Sequence, residues 1–343
     1  MRSSRKFILS VVLFLAIVAG VSTALLYPFL NSEASAYQDA GAREELAGEV
    51  DYIVCGASQA MNSFVPAILD EELGTCSYDV AGSMFTLYGR YYLLEKELAR
   101  NPVDTVVLEL SSDTFVRDET AELGWGDYFL LMKLDDFPER MHCLVTCVSP
   151  KVWANVYALD LTGALTFWKN YVRGGSLHNV DYAMKGYEAA VPEDMSIPAS
   201  DVQAAYHSEK LDTDFRATNV AQFRELVELC RAHGTDIVVV TAPVPESTLW
   251  KYDGWDDFRS QVVTLCEEEG LTYYDFNLYK GRADFLDDAT CYSNDRHLSR
   301  EGAPGFTRTY CDVVSRADAG EDVASLFFES YEEAVAATSY AAL

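Results

Sequence analysis

Five short runs of β-branched and aromatic residues recur along the chain: Asp51–Gly56, Ser77–Val80, Thr105–Leu110, Asp236–Thr241 and Leu271–Phe276. Each is four to six residues long and reads as a strand, and Thr105–Leu110 reads as the fully buried kind rather than as an alternating, half-wet one. Stretches of helical period separate them. One runs from about Ala60 to Glu72 and closes at Gly74. A second spans Leu87 to Arg100 and stops at Asn101-Pro102, where proline forbids continuation. Amphipathic segments at 220–233 and 256–269 precede the fourth and fifth strands. Strand and helix in alternation imply right-handed βαβ units. The predicted fold class is therefore α/β, a flavodoxin-like three-layer sandwich around a five-stranded parallel sheet.

The alternation lapses between the third and fourth strands, over about 115–215. That is too long for a plain loop. Trp125, Trp153 and Trp168, with the apolar runs Tyr128–Met132 and Val152–Thr166, point to a largely helical insertion. Its aromatics suit core packing, a groove for sugar or acyl chain, or membrane contact. A polar, poorly ordered arm is expected over about 175–215. Residues 317–343 read as an acidic, Ala-rich tail with a helical stretch at Val323–Ala336, and no internal repeat is visible.

At the N-terminus, Arg2, Arg5 and Lys6 precede an uncharged run from Phe7 to Leu30. As a helix at 1.5 Å per residue it exceeds the roughly 30 Å hydrocarbon core of a bilayer. Ala34-Ser35-Ala36 would suit a signal-peptidase cut, but the run is far longer than the ~7–15 residues of a signal core. Residues 1–36 are therefore expected to be a cytoplasmic stub and single transmembrane anchor. The basic end stays in the cytoplasm and the body, 37–316 plus the tail, lies outside. Composition narrows the partners. Lys plus Arg number 26 against 54 Asp plus Glu, a net charge of −28, so binding to a phosphate backbone is disfavoured and no nucleic acid is expected. In an exported chain the eight cysteines permit disulfides, though spacing does not reveal a pairing. Cys143-x3-Cys147 is poor zinc spacing, and neither a metal nor a cofactor is expected.

Sites in a doubly wound sheet form beyond the carboxyl ends of the strands. The first strand runs into Gly56-Ala57-Ser58-Gln59 and then a helix, which places the Ser58 hydroxyl at the sheet rim. Capping is the bland role for such a serine. Beyond the fifth strand comes Asn294-Asp295-Arg296-His297, on the same rim. His297 is positioned to take the Ser58 proton while a neighbouring acid fixes its tautomer. His142, His178, His207 and His233 fall in the insertion, the arm or a helix end.

These blocks resemble the SGNH/GDSL hydrolase superfamily, and more closely its membrane-anchored branch of DltD-like, AlgJ-like and peptidoglycan-O-acetylation proteins. The resemblance covers about 50–112 and 218–315. It rests on Val54-Cys-Gly-Ala-Ser58-Gln-Ala, on Tyr78-Asp-Val-Ala-Gly82-Ser, and on His297-Leu-Ser-Arg-Glu-Gly302. It implies Ser58 as nucleophile, His297 as base and the N–H of Gly82 as an oxyanion donor. Three departures stand out. The family's Asp three residues before the histidine is Asn294 here, so the orienting group is Asp295, or Asn294 in a weakened role. The Gly-x-Asn-Asp block after the third strand is replaced by Glu109-Leu-Ser-Ser-Asp-Thr114, leaving Ser112 or Ser111 to supply the second oxyanion donor. The fifth residue of Gly56-Ala-Ser-Gln-Ala60 is Ala, unlike a Gly-x-Ser-x-Gly elbow. The implied activity is O-acyl transfer or ester hydrolysis on an acylated cell-envelope polymer, alongside a multi-pass membrane O-acyltransferase. The alternative is a catalytically silent relative that binds glycan or scaffolds an envelope complex.

Overall fold

A computed structural model describes residues 2–30, 43, 45–117, 124–134, 137–174 and 184–343. His178, Ala34-Ser35-Ala36 and the first part of the expected arm lie outside the described residues. The first half of the chain carries α1 (Arg2–Leu30), β1 (Tyr52–Cys55), α2 (Ser58–Ser63), α3 (Pro66–Leu73), β2 (Ser77–Asp79), α4 (Leu87–Arg100) and β3 (Thr105–Glu109). Then follow α5 (Trp125–Met132), α6 (Phe137–Thr146), α7 (Trp153–Val172), α8 (Ala217–His233) and β4 (Asp236–Thr241). The last elements are α9 (Glu246–Lys251), α10 (Trp255–Glu268), β5 (Thr272–Asp275), α11 (Ala303–Asp318) and α12 (Tyr331–Ala336). The chain divides into two compact units, Met1–Gly41 with Thr120–Asp181 and Ala42–Glu119 with Tyr182–Leu343.

The larger unit is built on one parallel sheet in the order β2-β1-β3-β4-β5, the flavodoxin-like arrangement. Register runs Ile53↔Tyr78, Ile53↔Val106, Val107↔Val238 and Val239↔Tyr273. β1, β3 and β4 read as largely apolar runs because both faces are covered, while the outer strands β2 (Ser77-Tyr-Asp) and β5 (Thr272-Tyr-Tyr-Asp) carry polar residues. Ile53, Cys55, Val106, Leu108 and Val239 join a core with Leu94 of α4, Phe223 and Val227 of α8, and Phe258 and Val262 of α10. Tyr52 points to the other face, where its hydroxyl meets that of Tyr310 of α11 at 2.6 Å. Phe64, Phe306 and Tyr310 pack edge to face there, with centroids 5.2 Å apart in each Phe64 pair.

Three local expectations change. The helix foreseen over 60–72 is two, because Phe64-Val65 leaves the helical region and Pro66 starts α3 afresh at its first turn. Residues 184–216 are tied to the body by backbone bonds rather than loose: Glu193 N–H donates to Tyr292 O (2.8 Å), Met195 N–H to Asp288 O (2.7 Å) and Arg300 N–H to Ala190 O (2.8 Å). Gly186, at φ +90°, crosses β2 where any Cβ would overlap the Asp79 carbonyl. The helix foreseen at 323–336 is a single 3-10 turn, Ala324–Leu326, and the short α12 capped by Ser330. Tyr331 and Tyr340 bind the tail down by donating to Asp275 and Asp288, each at 2.8 Å.

In the smaller unit, α7 packs along the last turns of α1, and Arg140 of α6 pairs with Asp160 of α7 at 2.6 Å in a buried setting. Among the described residues one helix, Lys6–Phe29 of α1, is long and apolar enough to cross a membrane. None of the eight cysteines is joined in a disulfide.

Candidate active site

β1 ends at Cys55 and the chain turns through Gly56-Ala57 to put Ser58 at the first position of α2. The turn is forced tight. A Cβ on Gly56 would sit 2.5 Å from Ala60 Cβ and 2.9 Å from Glu109 Cβ. Below it lies Glu109, the last residue of β3, with no exposed surface. Its Oε2 accepts from the Ala57 N–H at 3.4 Å, while Oε1 is buried with no hydrogen-bond partner among the described residues. Burial raises the Glu109 carboxyl to about 7, against the pull of Arg90 and the Ala57 N–H.

Across the rim, His297 Nε2 meets Ser58 Oγ at 2.7 Å. The other ring nitrogen, Nδ1, meets Asn294 Oδ1 at 2.9 Å. That oxygen also accepts the N–H groups of Arg296 (2.9 Å) and His297 (3.1 Å), an Asx turn that fixes which end of the amide faces the ring. With an acceptor against Nδ1, the imidazole carries its proton there and turns its lone pair on Nε2 towards the Ser58 hydroxyl, the tautomer a general base needs.

Asp295, the acid nominated to orient His297, is exposed and makes no hydrogen bond or ion pair with the ring. Among the described residues only its backbone oxygen is engaged, by Thr248 Oγ1 of α9 at 2.8 Å. Asn294 occupies the orienting place instead. The same Asx turn that brings Asn294 inward swings Asp295 out. Gln59 adds a tether, its Nε2 donating to Arg296 O at 3.0 Å, so the residue after the serine grips the histidine loop.

The turn after β3 forms the third wall. Ser111 Oγ donates to Asp113 Oδ1 at 2.7 Å, and Asp113 Oδ2 pairs with Arg117 (2.8 Å) and Arg296 (3.4 Å). Burial opposes ionisation of Asp113, but Arg117, the Ser111 hydroxyl and Arg296 together hold its carboxyl below the usual range. Ser112 is half-buried in this turn, and its hydroxyl has no partner among the described residues. Gly82 is buried in the segment after β2, under the Phe85 ring, and its N–H likewise donates to nothing among the described residues. Unpaired buried N–H groups are rare in folded proteins. Burial lowers the His297 pKa below its ordinary value and the adjacent Arg296 lowers it further, with Asp295 and Asp113 pulling the other way. No group of metal-ligating side chains exists among the described residues.

Glu109, Gln59 and the Arg296–Asp113 pair escaped the sequence reading. A glutamate at a strand end ordinarily reads as solvated; the one signal was its place in a run otherwise wholly apolar.

No protein-family model matches the chain, and no curated protein does. Among solved structures it is similar to the psychrotrophic esterase EstA of a Pseudoalteromonas species, a structure inhibited by monoethylphosphonate. Identity there is 10% over 78% of this chain and 98% of that one, with a TM-score of 0.37. A protein assigned as an acylhydrolase from Bacteroides fragilis is also 10% identical, over 82% and 97% of the two chains, with a TM-score of 0.38. Likeness at this level carries no weight for the chemistry.

Proposed function

We propose that the chain is a membrane-anchored, extracytoplasmic serine esterase or O-acyltransferase of the SGNH/GDSL kind, acting on acyl groups of a cell-envelope polysaccharide or polymer. The observation that carries this is the run of contacts Ser58 Oγ–His297 Nε2 and His297 Nδ1–Asn294 Oδ1 at the carboxyl rim of a doubly wound sheet. Ser58 attacks the carbonyl carbon of an acyl ester as His297 takes its proton. The oxyanion is received by the N–H groups of Ser58 and Gly82, with the Ser112 hydroxyl in the place the family gives to Asn. Collapse expels the alcohol, which takes the proton back from His297, and leaves an acyl–Ser58 ester. Water or a sugar hydroxyl then attacks the acyl carbon, surrendering its proton to His297, and collapse breaks the acyl–Oγ bond as His297 returns that proton to Ser58. Acyl supply by a multi-pass membrane O-acyltransferase fits an anchored acceptor of this type.

A second proposal, a silent glycan-binding or scaffolding relative, is favoured by one observation: an amide stands where an acid is usual. Labelling the full chain in detergent with a fluorophosphonate, alongside a p-nitrophenyl acetate assay, separates the two. The enzyme requires labelling that disappears in Ser58→Ala and falls at least a hundredfold in His297→Ala. Folded wild type that neither labels nor releases nitrophenol supports the silent relative.

A further inference from the structure

We infer that α7 is an interfacial helix seated in the outer leaflet of the bilayer, against the last turns of α1, so that α1 stays in the mature protein. This rests on α1 being a membrane span. Exposure along α1 changes abruptly. The described side chains from Phe7 (71% exposed) to Val21 (55%) are open, whereas Leu26 (8%) and Phe29 (6%) are buried. What buries the end is α7. Trp168 Nε1 donates to Leu25 O at 3.0 Å, the Ser22 and Tyr157 hydroxyls meet at 2.7 Å, and the Phe29 and Phe167 rings lie 6.2 Å apart. The helices approach this closely because position 163 is glycine. A Cβ there would come within 2.5 Å of the Phe29 ring.

Depth follows from helix rise. At 1.5 Å per residue, a core of about 30 Å counted from Phe7 is crossed in about 20 residues, which ends near Leu26. Ser22, with Tyr157 against it, is then about 6 Å inside the hydrocarbon edge, within the 5–10 Å at which amphipathic helices ride in an interface. The rest of α7 matches that position. Tyr157, Leu161, Leu165, Trp168 and Val172 recur at helical spacing as one stripe next to the α1 contact. Leu165 (55%) and Val172 (81%) are openly exposed on it. The exposed Asn155, Thr162, Thr166 and Lys169 line the adjoining flank, roughly 110° round the helix from that stripe. Tyr and Trp on the apolar stripe are the side chains that favour the boundary between headgroups and acyl chains. The occupant of this stripe is lipid. Removing α1 by cleavage would uncover Phe167 and the Gly163 face.

The test uses the full chain in vesicles, in a Cys76→Ser/Cys147→Ser background that removes the two half-exposed thiols. A bimane is attached at Leu165→Cys, at Thr166→Cys on the polar side, or at Val12→Cys in mid-span. Each is quenched by lipids brominated on the acyl chain and, separately, by aqueous iodide. Lipid quenching at least twofold stronger than iodide quenching at 12 and 165, with the reverse at 166, is the expected result. Lipid quenching at 12 combined with iodide quenching at both 165 and 166 overturns the interfacial helix while leaving the anchor intact. Iodide quenching at 12 overturns the span, and the interfacial helix with it.

Discussion

His297 borrows its tautomer from a backbone turn and not from an acid. Asn294 Oδ1 holds two main-chain N–H groups as well as Nδ1, so the amide cannot swing round without breaking both. What the site lacks is negative charge behind the imidazolium. An aspartate at 294 keeps every acceptor and adds that charge. A hydrogen bond to a charged group is about twice as strong as a neutral one, so Asn294→Asp is expected to speed ester cleavage about tenfold. It should also move the acid limb of the rate profile to higher pH, since the charge favours protonated His297. Arg296→Gln should move that limb the same way, because burial and then Arg296 are what depress the His297 pKa. Rate profiles of the three proteins check both shifts. Glu109 gives a separate pH signature. Folding raises its pKa from 4.5 to about 7, so across that window the native state holds a proton the unfolded chain has lost. Stability therefore falls as pH rises from about 4.5 to 7, by on the order of 3 kcal/mol, and is flat above. Urea midpoints of Glu109→Gln measured against pH are expected to lose that slope.

At the scale of elements, β1, β3 and β4 were legible because parallel strands buried on both faces leave apolar runs, and β2 and β5 by their aromatic and β-branched residues between helical stretches. The helices on the α11 face were less so. The hydrophobic pattern through 60–72 is continuous, and only the backbone restriction imposed before Pro66 splits it. Residues 184–216 were opaque for another reason: their order comes from main-chain bonds to Tyr292, Asp288 and Arg300, which no side-chain pattern encodes. In the site, Ser58 and His297 stood out by lying just past strand ends, while the choice between Asn294 and Asp295 turned on a loop conformation. The α11 face is anchored by Phe306, fully buried between Phe64 and Phe276 at centroid distances of 5.2 and 5.1 Å. Phe306→Ala is expected to cost about 3–5 kcal/mol, read as a lower urea midpoint.

Over the whole molecule, the thiols behave unlike those of a disulfide scaffold. Six of eight are buried, and burial pushes Cys55, Cys230, Cys266 and Cys311 up to about 12, far from the thiolate that oxidants attack. A thiol-exchange titration is expected to find at most two reactive cysteines in the native chain and eight in denaturant, and reductant should leave the melting midpoint unmoved. The order of strands in the sheet has a further consequence. Ser58 and His297 are separated by 239 positions, one just past the first strand to emerge and the other past the last. A chain made from its N-terminus presents the serine early and its base only after nearly all of the body has followed. Until the last loop closes over the first, the serine hydroxyl has no imidazole beside it, so under the proposed function the chain is unarmed while it is being made and becomes reactive only on that closure.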